Sequence, residues 1–168
     1  MEPMRSCARL HRTCKSVYIL ASPSDCSTLA SGGRKRRTMI NASCLCGGVS
    51  YEISGSIRIP RYCHCVNCRK FSGTAFAAWG LIDTSQLKIL TPEPTITKYN
   101  SGGGLRAFCR RCGAPLWYEP AGMPQFRGIP LGAIDAGTVP EPEIRVWTKS
   151  NAGWAAVPDD LPHYETHP

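Results

Sequence analysis

The sequence predicts a mainly β fold built as a single small domain. Short apolar segments alternate with turn-forming residues, and the 168-residue chain contains 16 Gly and 14 Pro. No stretch of ten or more residues carries an apolar stripe at helical spacing. Hydrophobic residues make up 42% of the chain, which is enough for a packed core. These observations favour a loop-rich sheet protein over a helical bundle.

Six segments are predicted as strands, and one as a helical turn. Val49–Ile53 alternates apolar and polar residues, which is typical of a half-buried strand. Phe76–Ile82 is a continuous apolar run, short enough for a strand buried on both faces. A single helical turn is predicted around Val66–Phe71, and turn-formers such as 101–104 separate the strands. The remaining predicted strands are Leu87–Leu90, Thr95–Tyr99, Ala114–Tyr118 and Ile144–Thr148.

The basic charge of the chain is concentrated in residues 1–38. They carry eight basic and two acidic side chains, a net charge of +6, whereas the rest of the chain carries only +2. This Ser- and Arg-rich segment has three interpretations: a mitochondrial-type presequence, a disordered tail with a nuclear address at 34–37, or an extension ahead of a true start at Met39. We therefore expect a disordered or presequence-like tail over 1–38 and the folded domain over 39–168.

Seven of the ten cysteines lie in three short motifs of that domain, whereas Cys7, Cys14 and Cys26 have irregular spacing. Cysteines two or three positions apart can direct two sulfurs toward one ion, and zinc binds four sulfurs tetrahedrally. Disulfides are disfavoured because Cys-x-Cys bridges are strained and seven is an odd number. The motifs are Cys44-x-Cys46, Cys63-His64-Cys65-x-x-Cys68 and Cys109-x-x-Cys112.

Seven sulfurs divide naturally into four and three. The two outer pairs can close a structural zinc site, named here the four-cysteine cluster: Cys44, Cys46, Cys109 and Cys112. The central motif can hold a second zinc with one position left open, as in catalytic zinc sites. This set is named the three-cysteine cluster: Cys63, Cys65 and Cys68.

Two other arrangements of the sulfurs remain open at this stage. A zinc ribbon would join Cys65 and Cys68 to the third motif, although the gap of 40 residues exceeds the usual spacing of about 15–20 residues. The other arrangement is a single zinc with three idle thiols. His64, which lies between two candidate ligands, is expected to support or pack against the site rather than bind metal.

The residues around these motifs resemble the family of glutathione-dependent formaldehyde-activating enzymes, which also includes centromere protein V. The resemblance extends from about Ile40 to Tyr164. It implies a β-tent-like fold of small sheets, a structural zinc on the four-cysteine cluster and a catalytic zinc on the three-cysteine cluster. The segments that carry it are Ser43–Glu52, Tyr62–Gly73, Tyr99–Gly113 and Ile144–Pro162.

The resemblance also implies a function. We expect a carbon–sulfur lyase that holds two Zn²⁺ per chain and adds glutathione to formaldehyde, or to a related small aldehyde. Basic residues flank the cysteine motifs, and three of them are expected to bind glutathione carboxylates: Arg69, Lys70 and Arg106. The alternative is a non-catalytic zinc-binding interaction module that resembles centromere protein V.

The partners and the compartment follow from charge and cysteine usage. No apolar run approaches the roughly 20 residues of a membrane span, and the charge of 39–168 is too small to favour nucleic acid. We therefore expect a small-molecule thiol and an aldehyde as partners. Reduced cysteines indicate the cytoplasm, or mitochondria or nucleus if residues 1–38 are retained.

Overall fold

The computed structural model describes residues 38–91, 95–156 and 160–168. The predicted basic tail, apart from Thr38, lies outside the described residues, and so do Cys7, Cys14 and Cys26. The described part is mainly β, as predicted, with two sheets and one short α-helix. No helix within these ranges is long and apolar enough to cross a membrane.

The strands and the helix follow one another along the chain with short connections. The helix α1 spans Val66–Ser72, between β3 and β4, and short 3₁₀ turns lie at Thr84–Gln86, Leu131–Ala133 and Thr148–Ser150. The strands are β1 Met39–Ser43, β2 Ser50–Ser54, β3 Arg58–Cys63, β4 Ala77–Asp83, β5 Leu87–Ile89, β6 Ile96–Asn100, β7 Gly104–Cys109, β8 Pro115–Pro120, β9 Phe126–Pro130, β10 Ile134–Ala136, β11 Ile144–Val146 and β12 His163–Tyr164.

The twelve strands form a four-stranded sheet in the order β10-β1-β2-β5 and an eight-stranded sheet in the order β12-β11-β3-β4-β9-β8-β7-β6. Neighbouring strands are antiparallel except at one edge of the larger sheet. There β11 runs parallel to both β3 and β12. This edge brings together residues that are distant in sequence, because Val146 pairs with Cys63 on one side and with Tyr164 on the other.

All six predicted strands are present, with ends that differ by at most two residues. The predicted helical turn is α1, which ends at Gly73 in a left-handed conformation. Strand β3 was not predicted, because Pro60 lies inside it and proline cannot donate a ladder hydrogen bond. The strand is irregular there, with a register shift between Arg58 and Arg61 and a positive φ at Ile59.

The main core lies where the two sheets pack on each other. β1 and β2 alternate buried and accessible residues, so that Ile40, Tyr51 and Ile53 point into it. The buried Tyr51 hydroxyl donates to the Leu116 carbonyl at 2.9 Å, which links the sheets and satisfies a polar group. A second, smaller cluster of buried residues surrounds Trp79, and it includes two sulfurs of the three-cysteine cluster.

Candidate metal centres

The sulfurs of the four-cysteine cluster converge at the edge of the main core, all within 4.8 Å of one another. The Sγ atoms of Cys44 and Cys46 are 3.6 Å apart, and those of Cys46 and Cys109 are 3.9 Å apart. A tetrahedral ion with metal–sulfur bonds of about 2.3 Å separates its sulfurs by about 3.8 Å. The cluster therefore fits a four-coordinate ion of the size of zinc.

Two turns with left-handed glycines shape this cluster. Gly47 has φ of 69° and Gly113 has φ of 74°, values at which a side chain would be strained. Their backbone N–H groups donate to the carbonyls of Cys44 at 2.9 Å and Cys109 at 2.8 Å, which folds each pair of cysteines toward one point. A hydrogen bond from the Ala114 backbone lowers the pKa of Cys112 to about 6, which favours the metal-binding thiolate.

The three-cysteine cluster is assembled from six consecutive residues at the end of β3 and the start of α1. Its sulfurs also lie within 4.8 Å of one another. Cys65 caps the helix, because its Sγ accepts a hydrogen bond from the Cys68 backbone N–H at 3.3 Å. Hydrogen bonds from the Cys63 and Cys68 thiols lower the pKa of Cys65 to about 2, while contacts with Cys65 and Cys68 raise the pKa of Cys63.

The structure places the seven sulfurs in one group of four and one group of three. The zinc-ribbon arrangement, which joins Cys65 and Cys68 to the third motif, is therefore wrong. The seven cysteines of the motifs form no disulfide in the described part of the chain. His64 is fully buried, its ring lies 5.3 Å from that of Phe76, and its nitrogens do not join the sulfur groups. Neither ring nitrogen has a hydrogen-bond partner in the described part of the chain.

A cavity of about 740 Å³ opens onto the three-cysteine cluster. Its walls are largely apolar, with Trp79, Leu81 and Met123 among the lining residues. No Asp or Glu lies among the described residues that line it, whereas Arg61 and Arg106 do. The four-cysteine cluster is not part of this lining. Only one of the two clusters is therefore placed to meet a ligand inside the cavity.

The arginines and the lysine that were predicted to bind glutathione have different positions. Arg106 is only 5% exposed, and its guanidinium donates to the Cys68 sulfur at 3.8 and 3.9 Å and to the Ser101 hydroxyl at 3.1 Å. Arg69 donates to the Ser150 carbonyl at 3.0 Å, and Lys70 is exposed. Neither Arg69 nor Lys70 belongs to the described lining of the cavity.

Arg106 is held in place by more than its hydrogen bonds. Its guanidinium lies over the rings of Phe71 and Tyr118, at 5.2 and 4.9 Å from their centroids. Stacking and desolvation of this kind suit arginine better than lysine, because the guanidinium is planar and weakly hydrated. The buried positive charge therefore sits against the thiolate-forming sulfurs, and each of the three guanidinium nitrogens already donates a hydrogen bond.

Two further residues of the cavity are not among the three predicted glutathione contacts. Arg61 is half-buried, lines the cavity and makes no hydrogen bond or ion pair with another described residue. His167 also lines the cavity, and its Nε2 accepts a hydrogen bond from the Trp147 indole N–H at 3.2 Å. Arg61 is one of the basic residues that flank the cysteine motifs in the sequence, whereas no local signal marks His167.

The sequence of this chain matches a known protein family, and a solved structure is similar to part of it. A crystal structure of a Rhodobacter sphaeroides protein, a structural genomics target, is similar at a TM-score of 0.47 and 24% identity, over 57% of this chain and 88% of that chain. The sequence pattern of the glutathione-dependent formaldehyde-activating enzymes matches residues 39–150, which is more than half of the chain. The protein therefore belongs to the family of glutathione-dependent formaldehyde-activating enzymes.

Proposed function

We propose that this protein is a zinc-dependent carbon–sulfur lyase that adds the thiol of glutathione to formaldehyde or a related small aldehyde. One observation carries the proposal: within the described residues, a set of three converging sulfurs lines the large cavity. A site with three protein ligands and one open position is the pattern of catalytic zinc. The family to which the chain belongs supports glutathione and formaldehyde as the substrates.

The donor sets support zinc at both clusters. Four thiolates at tetrahedral spacing suit a structural ion, which the four-cysteine cluster would hold. The three-cysteine cluster would hold the second ion, which when bound would stabilise the thiolate form of a substrate thiol. Arg106 supports this assignment, because its positive charge offsets the negative charge that three thiolates leave on a divalent ion.

The remaining cavity residues would bind and orient the substrates. A cavity of about 740 Å³ is far larger than formaldehyde needs and lies within the roughly 300–1,000 Å³ of sites for drug-sized ligands. Arg61 offers a guanidinium beside the sulfurs that is not engaged with other described residues, and a carboxylate of glutathione can pair with it. We therefore assign Arg61 to the substrate and Arg106 to the sulfur cluster.

The reaction is an addition in which no group leaves. The thiol loses its proton, and a sulfur electron pair forms the new carbon–sulfur bond. The π electrons of the C=O bond move to oxygen, which then takes up a proton. The product is S-hydroxymethylglutathione, and the reverse reaction cleaves the same bond. The chain's contribution is to hold the two reactants together and to shield them from water behind apolar walls.

Exchange NMR on the zinc-loaded full chain tests the proposal, with ¹³C-formaldehyde and glutathione as probes. The wild-type protein should exchange label between free formaldehyde and the adduct faster than buffer does. The Cys65→Ser variant should exchange label only at the buffer rate. Cys14→Ser, a matched change outside the described residues, should exchange label at the wild-type rate. A wild-type protein that binds two ions and exchanges label only at the buffer rate would favour the non-catalytic module instead.

A further inference from the structure

We propose that His167 is a catalytic residue, whose Nδ1–H donates a hydrogen bond to the aldehyde oxygen as charge develops on it. The inference rests on the proposed function and adds a specific donor to it. His167 lies beyond residues 39–150, the part of the chain that matches the family. Its role is therefore argued from the geometry of this chain alone.

Residues 163–167 are attached to the cavity wall by several backbone contacts. β12 pairs with β11 in parallel. The Trp147 backbone N–H donates to the Thr166 carbonyl at 3.0 Å, and the Thr148 hydroxyl donates to the Tyr164 carbonyl at 3.1 Å. His167 consequently lines the cavity while its ring stays partly exposed to solvent. These contacts place the imidazole at the cavity mouth, on the side of Trp147.

The contact with Trp147 determines which nitrogen of the ring carries the proton. An indole N–H can only donate, so the Nε2 atom of His167, 3.2 Å away, must accept with its lone pair. A neutral imidazole whose Nε2 is unprotonated carries its hydrogen on Nδ1. The two rings meet nearly edge to face, at 83° with centroids 5.5 Å apart, which holds the imidazole in this orientation.

The charges around His167 favour the neutral ring. Burial against the wall and the nearby Arg61 guanidinium lower the pKa of His167, while the Cys65 thiolate opposes them. A neutral imidazole that donates a hydrogen bond can polarise a carbonyl without giving up its proton. Because the ring does not transfer the proton, the oxygen is protonated from water, and the electron balance of the addition is unchanged.

The aldehyde oxygen needs such a donor. A zinc held by Cys63, Cys65 and Cys68 would have one position open for a substrate atom. If the thiol sulfur occupied that position, the aldehyde oxygen would need a hydrogen-bond donor from the protein. Among the other donors around the cavity, Arg106 donates to Cys68 and Ser101 and the Tyr118 hydroxyl donates to the Gly103 carbonyl. The buried Trp79 indole N–H has no hydrogen-bond partner among the described residues. Arg61 is assigned to a substrate carboxylate. Of the two donors that remain, we assign His167 to the oxygen because Trp147 holds its ring at the cavity mouth, and an unchanged kcat in His167→Leu would leave the Trp79 N–H as the donor.

Three variants of the zinc-loaded full chain test this role in the formaldehyde–glutathione exchange assay. His167→Leu removes the donor and should lower kcat at least tenfold, less than the ~10²–10³ loss at an enclosed oxyanion site, because His167 is partly exposed. His167→Gln can accept from Trp147 and still donate an N–H, so its kcat should stay within about threefold of wild type. KM should change little in both. The control His163→Leu alters an exposed histidine of the same segment outside the cavity lining and should behave as wild type.

A second measurement does not depend on activity. The ¹⁵N shifts of the His167 ring, recorded through its carbon-bound protons, should show the Nδ1–H tautomer at neutral pH and should move when both substrates are added. The Nε2–H tautomer, an unchanged kcat in His167→Leu, or equal losses in the Leu and Gln variants would each overturn the role of His167. A wild-type protein without acceleration would instead overturn the proposed function, and the inference with it.

Discussion

The two cysteine clusters use the same donor chemistry in different structural settings. The four-cysteine cluster joins distant parts of the chain, since Cys46 and Cys109 are 63 residues apart and β1 and β7 belong to different sheets. The three-cysteine cluster lies within six consecutive residues and lines the cavity. A metal ion that closes a long loop stabilises the fold, whereas one bound by a local segment adds little constraint. The comparison teaches that connectivity, rather than ligand type, separates a structural role from a catalytic one.

The largest effect is expected from breaking the four-cysteine cluster. Cys112→Ser should abolish cooperative folding, because binding of a structural zinc contributes on the order of 10 kcal/mol to folding in small zinc domains. Circular dichroism and thermal melting of the zinc-loaded chain would show the loss. Cys14→Ser is the matched control. An unaltered melting curve for Cys112→Ser would contradict the structural role of this cluster.

A smaller effect on stability is expected at the three-cysteine cluster. Cys65→Ser should retain the fold and release one of two zinc ions, because the ion there constrains only a short local segment. Metal analysis by mass spectrometry and thermal melting on the same sample would measure both quantities. If Cys65→Ser and Cys112→Ser destabilise the protein equally, the distinction between the two clusters fails.

Arg106 provides a test of the environment of the three-cysteine cluster. Arg106→Met keeps an unbranched apolar stem between the two rings but removes the charge beside Cys68, so zinc affinity at this cluster should fall about 10–100-fold. Chelator competition and the sulfur-to-cobalt band of the Co²⁺-loaded protein would report the change. Arg58→Met, which removes an exposed ion pair with Asp83 and a contact with the Phe126 ring, both outside the cavity lining, is the control. An unchanged zinc affinity in Arg106→Met would show that Arg106 contributes packing only.

The smallest effect concerns substrate binding, and it distinguishes Arg61 from the arginine and lysine that the sequence favoured. Arg61→Gln should raise KM for glutathione about tenfold with little change in kcat, as expected for loss of one charge-assisted hydrogen bond. Lys70→Gln, outside the cavity lining, should leave KM unchanged. Steady-state exchange rates at varied glutathione would measure both. If only Lys70→Gln raised KM, the glutathione carboxylate would be assigned to Lys70, as the sequence predicted.

Much of the fold could be predicted, because short strands have a local signature. The alternation in Val49–Ile53 and the apolar run Phe76–Ile82 identified β2 and β4 with ends shifted by one residue. Strands β3 and β9, which contain Pro60 and Gly128 and show neither alternation nor an apolar run, were missed. The short strand β12 has only two residues, and its pairing depends on a distant partner.

The sequence by itself determined the mainly β class, the family and the pairing of neighbouring cysteines within each motif, because ligands within two or three positions of one another converge through local geometry. Only the tertiary structure decided that the two outer motifs share one cluster, and which side chains face the cavity. Arg106 turns to the sulfurs and Arg61 to the open space, while the parallel pairing of β11 with β3 and β12 brings Trp147 and His167 to the same wall. The physical reason is that a strand's neighbours and the faces its side chains occupy depend on contacts between residues far apart in the chain.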